Sequence, residues 1–249
     1  MTLQGVFFDL DDTLIGYEAA ERAAIVAGWR VAARRYPSLS EASLLTALYQ
    51  IYRERFQYPS PGFGRLTLIS EDELRRELTV AALERLDIQD RGLVDAMLAA
   101  HAHVSAQALA PLAGAVEVLQ ALRPSVRLGI ITNGPAAMQR GKLARLGLEG
   151  FFDAIVVDTE FGFPKPDPRI FEHAARLVEL TPESLCFVGN TLDADVAGAR
   201  RSGWMSVWFN AVGAPAAWPQ PDYTIMQLSD LLRLEPFQRR LGRRPLLVA

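Results

Sequence analysis

Only one cysteine, Cys186, occurs in the 249 residues, so no disulfide framework can form within the chain. Lysine is nearly absent. Of the 26 basic residues 24 are arginine, and only Lys142 and Lys165 are lysine. Where basic positions have settled on arginine, a retained lysine points to a need for a compact, flexible ammonium. Lys142 falls on a helical pattern and reads as a surface residue. Lys165 lies in a proline-bracketed loop and reads as a functional candidate. No run of about 18 or more apolar residues is present, so nothing is expected to span a membrane. Met1–Asp9 lacks a basic segment followed by an apolar run; it reads as a first strand rather than a signal peptide, and the expected location is the cytoplasm. A net charge of −3 gives no reason to expect a nucleic acid polymer or an acidic membrane as partner.

What is present has the organisation of an α/β protein. Gly5–Asp9 is a short apolar run that ends abruptly in acids, as a buried parallel strand does. From residue 17 to 108 the texture becomes helical, with patterns over Tyr17–Tyr36, Ser40–Gln57, Glu71–Leu86 and Gln89–Ala106. Ser40 and Ser70 suit N-caps, and residues 58–64 read as a loop. After Pro111 strands and helices alternate: strands at Arg127–Ile131, Ala154–Val157, Leu185–Val188, Met205–Trp208 and Tyr223–Ile225, helices at Pro135–Leu146, Pro168–Val178 and Asp193–Ser202. Such alternation predicts a Rossmann-like parallel sheet covered by helices, formed by residues 1–16 and 109–249, with a helical domain, 17–108, inserted after the first strand. The arginine-bearing tail, Pro236–Ala249, reads as a solvated segment or a subunit contact.

Ligands of open parallel sheets bind beyond the carboxyl ends of the strands. Four polar clusters fall at such ends: Asp9-Leu10-Asp11-Asp12-Thr13, Thr132-Asn133-Gly134, Lys165-Pro166-Asp167, and Gly189-Asn190 with Asp193 and Asp195. Acids this dense repel one another unless a cation offsets them, and magnesium needs only one or two carboxylates beside water and phosphate. A hydroxyl at Thr132 and an ammonium at Lys165 suit phosphate oxygens and a carboxylate nucleophile.

Taken together the four clusters resemble the motifs of the haloacid dehalogenase superfamily: Phe7-Phe8-Asp9-Leu10-Asp11-Asp12-Thr13-Leu14, Ile131-Thr132-Asn133, Lys165-Pro166-Asp167-Pro168 followed by Ile170-Phe171, and Val188-Gly189-Asn190 with Asp195 beyond. The insert stands where this superfamily carries its helical type-one cap. The resemblance implies a magnesium-dependent phosphatase. Asp9 would be the nucleophile and Asp11 the acid and then the base. Thr132 and Asn133 would bind the phosphoryl group, and Lys165 would steady it. The metal would be held by Asp9, Asp11, Asn190 and Asp195. The substrate would be a small phosphorylated metabolite (nucleotide, sugar phosphate or phospho-acid), and the assembly a monomer or homodimer. The fourth motif departs from the usual pattern, because Asn190 stands where an aspartate is usual. An amide oxygen can still bind magnesium but adds no charge.

Alternatives within the resemblance are a phosphomutase, a 2-haloacid dehalogenase and a non-catalytic binding protein. A dehalogenase needs no acid at the Asp11 position and no metal, so Asp11 favours phosphoryl transfer. Relatives that hydrolyse phosphonates lack that acid and take a lysine from the cap, and residues 17–108 hold none. Arg53, Arg55 and Arg65 flank an aromatic loop, Phe56–Phe63, and read more readily as solvated than as ligands. Cys186 reads as core, His101 and His103 as too close in sequence to share a helix face, and Trp204, Trp208 and Trp218 as packing residues.

Overall fold

The computed structural model describes residues 2–60, 63–215 and 217–242. In chain order the elements are β1 (Gly5–Phe8), α1 (Glu18–Arg35), α2 (Glu41–Arg55), α3 (Glu71–Arg85), α4 (Arg91–Ala108), α5 (Ala115–Leu122), β2 (Arg127–Thr132), α6 (Ala136–Arg145), β3 (Ala154–Val157), α7 (Asp158–Phe161), α8 (Pro168–Leu177), β4 (Leu185–Gly189), α9 (Ala197–Arg201), β5 (Met205–Phe209), β6 (Tyr223–Ile225) and α10 (Glu235–Arg240). The chain divides into two compact units. One comprises residues 1–15, 111–134 and 139–249, the other residues 16–110 and 135–138.

The first unit is built on a six-stranded, all-parallel sheet in the order β3-β2-β1-β4-β5-β6. The chain fills β1, β2 and β3 in one direction and returns to place β4 on the other side of β1. The reversal makes a topological switch point at the carboxyl end of β1, where ligands of such sheets bind. All four residues of β1 are buried, as befits a central strand covered on both faces. One face packs Phe7, Ile131, Phe171, Phe187 and Trp204 into a shared core. Phe171 stands edge-on to Trp204, with ring centroids 5.5 Å apart. The chain leaves this unit and returns to it side by side. Ile15 and Pro111 form an antiparallel bridge, and the Leu112 amide donates to the Leu14 carbonyl.

Several sequence expectations need correction. The stretch Asp193–Ser202 is not one helix: Leu192–Val196 is a π-helical turn and α9 follows it. Helix α5 carried no expectation, although its buried face, Ala115, Val118, Leu119 and Leu122, is regular. The start of the tail is not solvated: α10 buries Phe237 completely, and the Arg240 Nε donates to the Ser125 carbonyl at 2.7 Å. Arg243 and Arg244 lie outside the described residues, as do Pro61 and Gly62 of the aromatic loop. Trp204 and Trp208 are buried, but Trp218 is 80% exposed and packs nothing away.

The second unit is helical. Ser40 and Ser70 do cap α2 and α3, and Ser70 with Glu73 completes a reciprocal capping box. Gly28 of α1 lets α4 approach, because a Cβ there would lie 3.2 Å from the Met97 carbonyl oxygen. Arg55 and Arg65 both pair with Glu77. His101 is buried while His103 is exposed. Helices α1, α3 and α4 share a polar cluster. Arg75 donates to Glu21 at 2.6 Å and 3.1 Å and to Glu71 at 3.0 Å, and His101 Nε2 lies 3.2 Å from Glu21. Burial pushes the Glu21 carboxyl up, but the hydrogen bonds of His101 and Arg75 outweigh it and hold the group at about 2. A depressed acid contributes stability above its unfolded value of 4.5 that is lost as the pH falls through about 2. Glu21→Gln is therefore expected to destabilise the protein by about 2–3 kcal/mol at pH 7, with the loss shrinking on acidification. Urea denaturation at pH 7 and pH 4 measures it.

Candidate active site

Asp9 follows β1 directly. Beyond it Asp12 takes a left-handed backbone conformation, with φ of 57°, so the chain folds back and the Asp12 amide meets the Ile15 carbonyl at 2.7 Å. The turn brings the Thr13 hydroxyl to Asp9 Oδ2 at 3.1 Å and to Asn190 Oδ1 at 3.3 Å. One hydroxyl thus marks where an oxygen of the first motif and an oxygen of the fourth draw together.

Lys165 lies between two acids. Its Nζ donates to Asp9 Oδ1 at 2.6 Å and to Asp195 Oδ1 at 2.7 Å, and sits 5.1 Å from the centroid of Phe187. All three side chains are at least nine-tenths buried. Burial raises the Asp9 carboxyl to about 7, against the pull of Lys165 and with help from Asp195 and Asp11. Burial would lower Lys165, but Asp195 and Asp9 more than offset it, so the ammonium is held above its ordinary value. The other Asp195 oxygen accepts from the amide and hydroxyl of Thr191, both at 2.8 Å. Asp195 can approach this closely only because residue 189 is glycine: a Cβ there would fall 2.4 Å from the Asp195 carboxyl carbon.

Thr132 ends β2 with its side chain buried and its Oγ accepting from Gln139 Nε2 at 2.7 Å. Asn133 is expected from the sequence to bind substrate, but the fold gives its side chain to the main chain of Lys165. Its Nδ2 donates to the Lys165 carbonyl at 3.1 Å and its Oδ1 accepts from the Lys165 amide at 2.9 Å. Asp158, after β3, accepts from the Gly134 amide at 2.8 Å and the Thr159 amide at 2.7 Å. Burial lifts its carboxyl to about 6 despite these bonds. Asn133 and Asp158 therefore tie the ends of β2 and β3 to the lysine loop. Asp193 is exposed.

Lys142 is not the surface residue its helical pattern suggests. It is 3% exposed, and its Nζ donates to both Asp11 oxygens, at 2.8 Å and 2.7 Å. Gln139, 1% exposed and one turn earlier on α6, donates to Asp11 Oδ2 at 3.0 Å. Sequence reasoning missed both; the scarcity of lysine carried the signal for Lys142, and nothing in the sequence marked Gln139.

A sequence model of the haloacid dehalogenase-like hydrolases matches residues 3–203, most of the chain and every residue of this site. The chain belongs to that family. It is 33% identical over 210 residues to the glyceraldehyde 3-phosphate phosphatase of Methanopyrus kandleri, covering 82% of this chain and 83% of the relative. It is 36% identical over 129 residues to the pyrimidine 5'-nucleotidase YjjG of Escherichia coli K12, a match that spans 51% of this chain and only 56% of that enzyme. Among solved structures, a 2-haloacid dehalogenase from Pseudomonas syringae pv. Tomato DC3000 superposes with a TM-score of 0.69 at 28% identity, covering 96% of this chain and 99% of that one.

Among the described residues, no three His, Cys, Asp or Glu side chains gather to hold a metal. The reason is visible in the haloacid dehalogenase-like site itself: the Lys165 ammonium bridges Asp9 and Asp195, and the fourth motif offers an amide. The donors that converge, Asp9 and Asn190, are hard oxygens, and one of them is a carboxylate burdened by neighbouring negative charge. Such a set fits magnesium, which completes its shell with water and phosphate.

Proposed function

We propose that this hydrolase is a magnesium-dependent phosphatase that cleaves a small phosphate monoester through a covalent phosphoryl group on Asp9. The observation that carries the reading is the buried Asp9–Lys165–Asp195 chain at the switch point, with Asp11 beyond the same strand end as Asp9 and Thr132 at the end of the neighbouring strand. The named phosphatases among its relatives support it.

In the first step an Asp9 oxygen attacks phosphorus while the ester P–O bond breaks. Asp11 gives its proton to the departing oxygen. In the second, Asp11 takes a proton from water, the resulting hydroxide attacks phosphorus, and the bond to Asp9 breaks to release inorganic phosphate. Lys165 keeps Asp9 oriented and compensates the charge that gathers as two anions meet. The Thr132 oxygen accepts from Gln139, which leaves its own proton to donate to a phosphoryl oxygen. Asn133 fixes the Lys165 main chain. Asp9, Asn190, Asp195 and the Asp11 main-chain carbonyl would hold magnesium, which would supply positive charge for the incoming phosphate. Residues 16–110 serve as the cap that selects among nucleotides, sugar phosphates and phospho-acids. Attack on a carbon–halogen bond would need no second carboxylate, yet Asp11 is held by three hydrogen bonds, two from Lys142 and one from Gln139.

The test is phosphate release from a panel of phosphorylated metabolites, with and without magnesium, alongside halide release from 2-chloropropionate. Magnesium-dependent phosphate release is expected. No phosphate from any member, with the protein folded, would overturn the reading in favour of a mutase, a dehalogenase or a binding protein. Asn190→Asp adds a carboxylate beside Asp9. It is expected to tighten magnesium binding by about tenfold, by calorimetry, while lowering the melting temperature of the metal-free protein.

A further inference from the structure

The two lysines of this chain have the same fate. Each ammonium is 3% exposed at its side chain, and each lies against one carboxylate of Asp9-Leu10-Asp11. Lys165 belongs to the third motif. Lys142 belongs to none of the four, and neither does Gln139. Taking an ammonium out of water costs several kcal/mol unless it is closely paired, so a buried lysine with a two-oxygen grip on Asp11 is a built contact and not a surface accident.

Gln139 adds the third bond to this carboxylate. Its Nε2 lies 3.0 Å from Asp11 Oδ2, 2.7 Å from Thr132 Oγ and 2.8 Å from the Asn133 carbonyl oxygen. The Asn133 carbonyl can only accept, so the amide must turn its NH2 toward it. That leaves Gln139 Oε1 buried without a hydrogen-bond partner. The orientation is forced by what the amide touches and carries a desolvation cost. Because Lys142 and Gln139 are three apart on α6, they share one face of the helix, while Arg140 and Arg145 point to solvent.

We propose that Lys142 and Gln139 are positioning residues for Asp11. Lys142 fixes the rotamer of the acid–base carboxylate by holding both its oxygens, and Gln139 couples that carboxylate to the Thr132 hydroxyl and the Asn133 carbonyl. The inference rests on the reading of Asp11 given above. Lysine serves here where arginine dominates elsewhere because a compact ammonium fits a closed space that a planar guanidinium would overfill.

A positioning role for the acid has a signature that general loosening of the fold does not. Departure of 4-nitrophenolate needs little protonation, whereas departure of a phenolate from phenyl phosphate needs much. In Lys142→Met, kcat/KM for phenyl phosphate is expected to fall by about 100-fold and that for 4-nitrophenyl phosphate by less than about fivefold. Asp11→Asn should show the same pattern more strongly, and adding Lys142→Met to it should cost nothing further. Should Lys142→Met fail to fold, Lys142→Gln, which removes the charge and the two-oxygen grip on Asp11, carries the same comparison. Equal losses on both esters, no loss on either, or an undiminished effect of Lys142→Met in the Asp11→Asn background would overturn the proposal. If Asp11→Asn itself shows no preference between the esters, the assignment of Asp11 fails and this proposal with it. If wild type cleaves neither ester, it is the phosphatase reading that falls first.

Discussion

Asp9→Asn is expected to reduce phosphate release by on the order of 10⁴-fold or more, because an amide is not a nucleophile toward phosphorus. The same substitution is expected to make the metal-free protein melt higher at pH 8. The Asp9 carboxyl sits at about 7 in the fold, raised from 3.8 by burial and by Asp195 and Asp11 against the pull of Lys165. A carboxyl raised on folding contributes stability at acid pH that is lost as the pH climbs through the folded value. Asparagine has no charge to lose, so the gap between mutant and wild type should open from pH 4 to about pH 7 and then level off. Thermal melts in the presence of a chelator measure it. A mutant that retains turnover would remove Asp9 from the mechanism. One that melts lower at every pH would show that the carboxylate, not its neutral form, is what the site prefers.

Lys165→Met is expected to be costly in two ways. It leaves Asp9 and Asp195 facing each other, buried, with no cation between them. Breaking one partner out of such a group typically costs about 3–5 kcal/mol. Acidification, by protonating Asp9, should restore part of that loss, so the deficit in denaturation experiments should be larger at pH 8 than at pH 5. Turnover should be lost even where the protein is folded, because Asp9 no longer has its orienting bond or its compensating charge. Lys165→Arg should not rescue either property. The pocket beside Phe187 admits a point charge that touches two acids, and a planar guanidinium has a different reach. Stability equal to wild type at pH 8 would mean that water or a bound ion replaces the ammonium.

The sheet was legible because its strands are short apolar runs that stop at acids or turn residues. Ala154–Val157 and Tyr223–Ile225 have the expected ends, and the other strands differ by a residue. Four polar clusters could be placed together because a parallel sheet delivers its strand ends to one edge. What could not be read was the company each side chain keeps. Lys142 lies three residues after Gln139 in a helix rich in alanine and arginine, and nothing in that local pattern says which face is inward. Asn133 looks like a ligand for phosphate until the loop after β3 brings the Lys165 main chain to it. Trp218 was expected in the core on residue type alone, but its chain segment passes over the surface between β5 and β6. Phe237 shows the reverse, a core residue in a stretch whose arginines read as a tail.

The strand that leads into Asp9, the proposed nucleophile, finds both of its neighbours far along the chain. Gly5 pairs with Arg127 on one side and with Leu185 on the other. As the chain emerges during synthesis, β1 precedes both of its partners and waits, unpaired, through the whole helical insert. It gains its first partner with β2, and its second only when β4 appears. Pairings this distant in sequence close slowly, since the intervening loop must be ordered before the contact is rewarded. A nascent chain cut short before Leu185 therefore holds Asp9 on a strand with one bare edge and no fourth motif. Assembly of the site around Asp9 is therefore timed by Leu185–Gly189, a strand far along the chain from β1.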